Sequence, residues 1–291
     1  MDTAQDLSIS RSQLRSLIGR PGAPLVLDVR RPPRFNESDQ LIAGARHCAP
    51  EDVEAFARSQ PPRDAVVYCV HGHDVGRDAA QALRRAGWTA RFLAGGLEGG
   101  EDGVDAAGDI AQWRAQPLPT IRKRPDLGVS GERPSRWITR ARPKIDRVAC
   151  PWLVLRFIDP QAEFFYVPAE QVFEEARRLQ AVPYDIPGAP ISHEQERCSF
   201  DTLMRAFGLQ DPALEALAAI VRGADTDRLG LAPQSAGLLA VSLGLSALHA
   251  DDDHAMLRAA LPVYDALYAW CRTARGETHQ WQAPADTGAA A

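Results

Sequence analysis

The stretch that most constrains this chain is Val66-Val67-Tyr68-Cys69-Val70-His71-Gly72-His73-Asp74-Val75. An apolar run ends at a cysteine, a short polar loop carries a glycine, and a helix-like pattern begins. A short continuous apolar run bounded by turn residues reads as a buried strand of a parallel sheet. A free cysteine titrates near about pH 8.5 and is mostly a thiol at neutral pH. Backbone N–H groups turned inward by a loop, followed by a helix N-terminus, favour the anion. Gly72 allows the backbone to curl without a Cβ clash. The stretch therefore predicts a nucleophilic Cys69. The competing possibility is an inert core thiol, which would not require a glycine-bearing loop.

The flanking sequence alternates between the two periodicities. Residues 8–18 read as a helix stopped by Pro21-Gly22, 24–30 as a buried strand, 42–47 as a short strand and 50–57 as a helix with an acidic first turn. Residues 75–86 read as a helix ended by Gly87, and 89–93 as a strand followed by Gly95-Gly96. This order predicts an α/β layer on a parallel sheet. Residues 118–134 are rich in Pro, Arg and Lys and read as a solvated linker. Beyond it come strands at 136–140 and 164–167, helices at 146–158 and 170–179, and a proline-rich loop over 183–192. Pro151 falls in the first turns of the 146–158 helix, where a missing N–H is tolerated. The remainder is helical: 199–207 with a Ser cap, a helix opened by Asp211-Pro212, an apolar central helix over 234–248, and 253–271. The second domain is thus mainly α-helical (α+β), and 275–291 reads as a disordered tail.

Bulk properties narrow the function classes. With 45% hydrophobic and 24% charged residues the composition is that of a globular protein, and 291 residues accommodate two domains. The net charge of −5 argues against a nucleic-acid partner, and the basic cluster Arg122-Lys123-Arg124 lacks interleaved aromatics. No apolar run approaches the ~20 residues of a membrane span, and Met1 to Asp6 is polar and acidic, unlike a secretory signal. Five widely spaced cysteines, an odd number, do not form a disulfide framework and suggest a reducing, cytoplasmic setting.

Residues 8–117 resemble a rhodanese (sulfurtransferase) domain. The resemblance rests on Leu27-Asp28-Val29-Arg30, Ile42-Ala43-Gly44-Ala45-Arg46-His47, the Cys69–Val75 loop, Ala86-Gly87-Trp88 and Leu93-Ala94-Gly95-Gly96-Leu97, in that order. It implies that Cys69 takes a sulfane sulfur from a small donor and passes it to a thiol acceptor, with Val70, His71, Gly72, His73, Asp74 and Val75 forming the active-site loop and no cofactor required. Two departures matter. Asp74 occupies the region where many rhodaneses carry an anion-binding arginine, which disfavours thiosulfate as donor; His71 and His73 supply positive charge only when protonated. Val75 stands where a cysteine phosphatase needs arginine, and the nearest one, Arg77, reads as a surface charge on the following helix.

Residues 135–274 resemble the C-terminal domain of chromate-resistance proteins. The segments that carry this are Lys144 to Leu153, Arg156-Phe157-Ile158-Asp159, His193, Cys198-Ser199-Phe200-Asp201, Ala224-Asp225-Thr226 and Tyr264 to Tyr268. The resemblance implies a chromate or oxidative-stress context, with chromate a candidate ligand; a DNA-binding role does not carry over, because a rhodanese-like domain stands where that family's own N-terminal portion is expected. Asp146, His193, Glu196, Cys198, Asp201, Asp225 and Asp265, with Glu194, form a candidate second site, and His193, Cys198 and Asp225 are candidate ligands for a divalent metal. Their alternative roles are solvated loop, core thiol, cap and turn. Asp251-Asp252-Asp253-His254 lacks the glycine and distal glutamate of a calcium loop and reads as a helix cap. Three functions fit: a sulfurtransferase using a Cys69 persulfide, a non-enzymatic chromate or redox sensor acting through partners, and a Cys69-dependent oxyanion reductase.

Overall fold

The computed structural model describes residues 7–277. The polar segment Met1 to Asp6 and the tail read as disordered beyond residue 277 lie outside the described residues. The chain opens with a two-residue strand, β1 (Ser8–Ile9), and Ser10 then caps α1 (Arg11–Leu17) in a reciprocal capping box with Gln13. The expected single helix over 8–18 is therefore a strand, a cap and a helix, because the Ser10 side chain accepts the Gln13 N–H and fixes the start.

The main sheet is wholly parallel. It adds β2 (Leu25–Asp28), β4 (Ala45–His47), β5 (Asp64–Tyr68) and β6 (Thr89–Leu93) to β1, in the order β1-β6-β5-β2-β4. Helices α2 (Pro32–Glu37), α3 (Val53–Ser59), α4 (Asp74–Arg85) and α5 (Ala107–Arg114) connect and flank it. Alternation along β5 explains its unbroken apolar run. Val66 and Tyr68 face one core, and Val67 with Cys69 faces another formed with Ala79, Ala80, Leu83 and Trp88.

The segment read as a solvated linker is built into the fold. Within it β7 (Thr120–Arg122) pairs antiparallel with β3 (Gln40–Ile42), and Ile121, Leu127 and Val129 are buried. Arg124 donates to the Ala206 carbonyl at 3.1 Å, and Lys123 lies over the Phe35 ring. Lys123 and Arg124 therefore fix the connector, while its apolar residues Ile121, Leu127 and Val129 enter the core.

The second half contains a parallel three-stranded sheet, β10 (Val182–Pro183), β8 (Arg136–Arg140) and β9 (Glu163–Val167) in that order, covered by helices. These are α6 (Asp146–Leu153), α7 (Val172–Leu179), α8 (Ser199–Phe207), α9 (Pro212–Asp225), α10 (Ser235–Leu248) and α11 (Asp253–Ala269). Pro151 lies inside α6, and the helix widens into a π turn over Val154–Ile158. Cys198, not Ser199, is the N-cap of α8. The apolar helix α10 is not central: Val241, Leu243 and Leu248 are exposed, whereas Ser235, Ser242 and Ser246 face inward.

The halves share one core, in which Ile9, Leu14, Ile18 and Val66 join Trp152, Leu153, Phe157 and Tyr268. Across this seam Gly44 N–H donates to the Phe157 carbonyl at 2.8 Å and Arg46 donates to Gln161 at 2.7 Å. Among the described residues no helix is long and apolar enough to cross a membrane.

Candidate functional site

Cys69 follows the last residue of β5, at the C-terminal edge of the parallel sheet, and its sulfur accepts a hydrogen bond from Gly72 N–H at 3.3 Å. The chain turns back around the sulfur before α4 begins at Asp74. Gly72 makes this turn at φ +83°, and a Cβ there would sit 2.6 Å from the backbone nitrogens of Gly95 and Gly96. A Cβ on Gly96 would in turn meet Gly72 N and Val70 O at 2.5 Å. The glycine of the cysteine loop and the glycine pair after β6 therefore pack backbone against backbone. Leu97 N–H and Glu98 N–H close the brace by donating to the carbonyls of Cys69 and Val70. At Gly76 in α4 a Cβ would lie 3.4 Å from the Cys69 sulfur, so the absent side chain leaves room beside it.

The loop's polar side chains are committed. His71 Nδ1 lies 2.9 Å from the Gly100 carbonyl, and His73 Nε2 lies 2.9 Å from Asp105 Oδ2. The Glu101 N–H and the His73 ring hold the Asp105 carboxyl below the usual carboxylate range. Arg77 pairs with Asp74 at 3.0 Å and lies over Phe92, a placement consistent with the expected surface helix. Asp28 and Arg30, which close β2, form a buried ion pair with Tyr68 O–H donating to Asp28 at 2.8 Å. That triad lies at the same C-terminal edge of the sheet as Cys69: Tyr68, the last residue of β5, directly precedes Cys69, and Asp28 is the register partner of Tyr68 on the neighbouring β2.

A second concentration of chemistry lies in the helical half. Asp146 at the start of α6, Asp185 after β10, His193 before α8 and Asp225 at the end of α9 converge. His193 Nε2 is 3.0 Å from Asp225 Oδ2, 3.4 Å from Asp185 Oδ1 and 3.6 Å from Asp146 Oδ2. Asp146 is fully buried; its Oδ2 accepts N–H groups of Ser199 and Phe200, capping α8, while its own N–H donates to Asp225 Oδ1 at 3.3 Å. Ser199 Oγ donates to Asp185 Oδ1 at 2.7 Å, and Arg140 and Arg147 face Asp185 Oδ2. Burial, with Asp225 and Asp185 nearby, pushes the Asp146 carboxyl well up. Burial opposes charge on Asp185 too, but bonds from His193 and Ser199 with Arg147 beside it hold this carboxyl low. His193 is pushed up to about 9 by its bond to Asp185, against partial burial and with help from Asp146 and Asp225.

Three of the residues expected from sequence, Asp146, His193 and Asp225, are thus brought together. Asp185 completes the group and was not anticipated, because its stretch read only as a proline-rich loop; an aspartate between Tyr184 and Ile186, both buried, is the signal available there. The other candidates lie outside. Cys198 is buried beside Asp146, and its thiol donates to Asp201 Oδ2 at 3.4 Å. Asp201 also accepts Cys198 N–H and binds Arg222 at 2.8 Å. Glu196 is exposed and pairs with Arg228, and Glu194 with Arg205. Asp265 accepts from Arg156 Nε and Nη2 and from the Trp152 indole N–H, a structural ion pair. Asp252 caps α11 through Ala255 N–H.

A parallel sheet carrying a cysteine loop at its C-terminal edge, braced by a late Gly-Gly turn, defines a rhodanese-like domain, and residues 10–102 match the rhodanese-like domain model. Residues 137–271 match the model described as ChrB, C-terminal domain, so the chain joins these two modules. Protein ChrB of Cupriavidus metallidurans is 35% identical over 153 residues, covering 48% of this chain and 45% of that protein. The chain thus spans under half the length of that curated relative. Similar solved structures include a full-length protein from Lactobacillus plantarum (27% identity, 41% of this chain and 91% of that one, TM-score 0.32). Another is the rhodanese-like domain of an Anabaena protein (29% identity, 39% of this chain and 77% of that one, TM-score 0.30).

Proposed function

We propose that the protein is a sulfurtransferase that carries sulfane sulfur as a Cys69 persulfide, in a chromate or oxidative-stress resistance context. The observation that carries this reading is the Gly72 N–H directed at the Cys69 sulfur within the glycine-braced loop. The Cys69 thiolate attacks the outer sulfur of the donor, the donor's S–S bond breaks, and its remainder leaves with the bonding electron pair. An acceptor thiolate then attacks the terminal sulfur of the persulfide and releases the Cys69 thiolate. The loop amide stabilises negative charge on sulfur in both resting forms. The resistance context rests on the ChrB C-terminal match and on the kinship with Protein ChrB.

The surroundings of the loop favour one donor class. Arg77 is paired with Asp74, Arg34 with Glu98 and Arg114 with Asp102, while Glu101 and Asp105 flank His73. A dianion such as thiosulfate meets carboxylates there, so a thiol persulfide of lower charge is the expected donor. Incubation with such a persulfide should add one sulfur to Cys69, seen by mass spectrometry, discharged by cyanide or a thiol and lost in Cys69→Ser. Absence of a persulfide with every sulfane donor tried would overturn sulfur transfer and leave redox sensing as the reading of Cys69.

A further inference from the structure

We propose that Asp146, Asp185, His193 and Asp225 form a binding site for a single divalent first-row cation, with Mn2+ and Zn2+ the chemistries its donors suit. One imidazole nitrogen with several carboxylate oxygens is a hard-to-borderline donor set that such ions accept. Ligand atoms of Asp146, Asp185 and His193 all lie within 4.8 Å of one another. The approaches to His193 Nε2, 3.0, 3.4 and 3.6 Å, are those of three carboxylates around one nitrogen. A single N–H has one direction and serves one of them. Ligand atoms about 2.1 Å from a shared ion stand roughly 3.0–3.4 Å apart, and the approaches to His193 Nε2 from Asp225 Oδ2 at 3.0 Å and Asp185 Oδ1 at 3.4 Å have that spacing.

An independent observation is the fully buried Asp146 carboxylate, whose Oδ1 has no hydrogen-bond donor. Leaving a buried carboxylate oxygen unpaired is costly, and an ion removes that cost. Neighbouring donors are aimed elsewhere: Arg140 and Arg147 point at Asp185 Oδ2, and the Cys198 thiol donates to Asp201 Oδ2. The helix caps are compatible with ligation: the α8 amides use Asp146 Oδ2 and the α6 amide uses Asp225 Oδ1, leaving Asp146 Oδ1 and Asp225 Oδ2. His193 is 43% exposed, so the cluster opens to solvent on one side and an ion has a route in and room for water.

The test uses the full chain, stripped with chelator and titrated separately with Mn2+ and Zn2+ by calorimetry. Wild type should bind one equivalent, and Asp225→Asn, which keeps the Oδ1 cap acceptor, should weaken binding by about tenfold or more. His193→Gln should do the same, and its partial exposure keeps folding intact, checked by circular dichroism. Cys69→Ser should bind like wild type, which separates this site from sulfur transfer. The proposal is overturned if wild type shows no saturable binding of either ion, if both folded cluster variants bind like wild type, or if Cys69→Ser abolishes binding.

Discussion

At the scale of single residues, the cysteine loop depends on atoms that are missing as much as on those present. Gly72→Ala would place a Cβ against Gly95 and Gly96 and force a left-handed φ on an L-residue. Activity should fall on the order of a hundredfold, because the amide that faces the sulfur moves with the backbone. Steady-state sulfur transfer measures this, and near-wild-type turnover would refute the brace. Thiol labelling tests the isolation of the other cysteines. Burial, with Asp52 adding to it, pushes Cys48 up to about 11, and burial raises Cys150, Cys198 and Cys271 as well. A raised thiol gains its reactive anion only as pH approaches the raised value, so at pH 8 about one Cys48 in a thousand is thiolate. Iodoacetamide at pH 8 should therefore label Cys69 first, with Cys48 joining only as the pH rises toward 11. Mass mapping over that range checks the order. Cys69 and Gly72 were legible because a strand end, a cysteine and a glycine leave a local trace. Asp185 was not, since its arginine partners Arg140 and Arg147 come from a distant segment and the loop between it and His193 and Ser199 has no periodic pattern to bring them together.

At the scale of elements, close helix packing explains what periodicity misjudged. The α10 sequence is apolar nearly all round, which reads as a buried helix, yet its serines face inward. Ser235 meets α9, its Oγ donating to the Ile220 carbonyl at 3.1 Å and lying 2.3 Å from where a Cβ on Gly223 would sit, and Ser242 Oγ accepts the Ile145 N–H at the start of α6 at 3.2 Å. Small residues therefore form the seam and the larger apolar ones are left outside. Gly223→Ala should cost about 1–3 kcal/mol by overpacking, read as a lower urea midpoint with an unchanged slope. Helices α2 and α5 escaped detection for a different reason: each is short and buries a single residue, Phe35 or Ile110, so neither has an apolar face to announce it. The long α4 and the strands β2, β5 and β6 were readable because burial on both sheet faces demands continuous apolar runs.

At the scale of the whole molecule, the connector decides whether two modules behave as two. A Pro- and Arg-rich segment suggests independent domains on a tether, but β7 pairs with β3 and Ile121, Leu127 and Val129 enter the shared core. The Phe157 ring packs onto Gly19, where a Cβ would lie 2.3 Å away, so the π turn after α6 is part of the floor beneath the rhodanese-like sheet. Val66 and Tyr68, on the strand that delivers Cys69, face this shared core rather than solvent. Cutting the chain after residue 117 would remove the partner of β3 and expose that face to water. Large newly exposed apolar patches drive association, so the fragment should aggregate or unfold at temperatures where the full chain is native. The full chain should correspondingly melt in one cooperative transition, with calorimetric and van't Hoff enthalpies in agreement. Two separable transitions, or a soluble 1–117 fragment that still forms a Cys69 persulfide, would show that the halves are autonomous. A single transition would mean that an ion bound at the proposed site in the helical half, by stabilising the common core, also raises the temperature at which the Cys69 loop is lost.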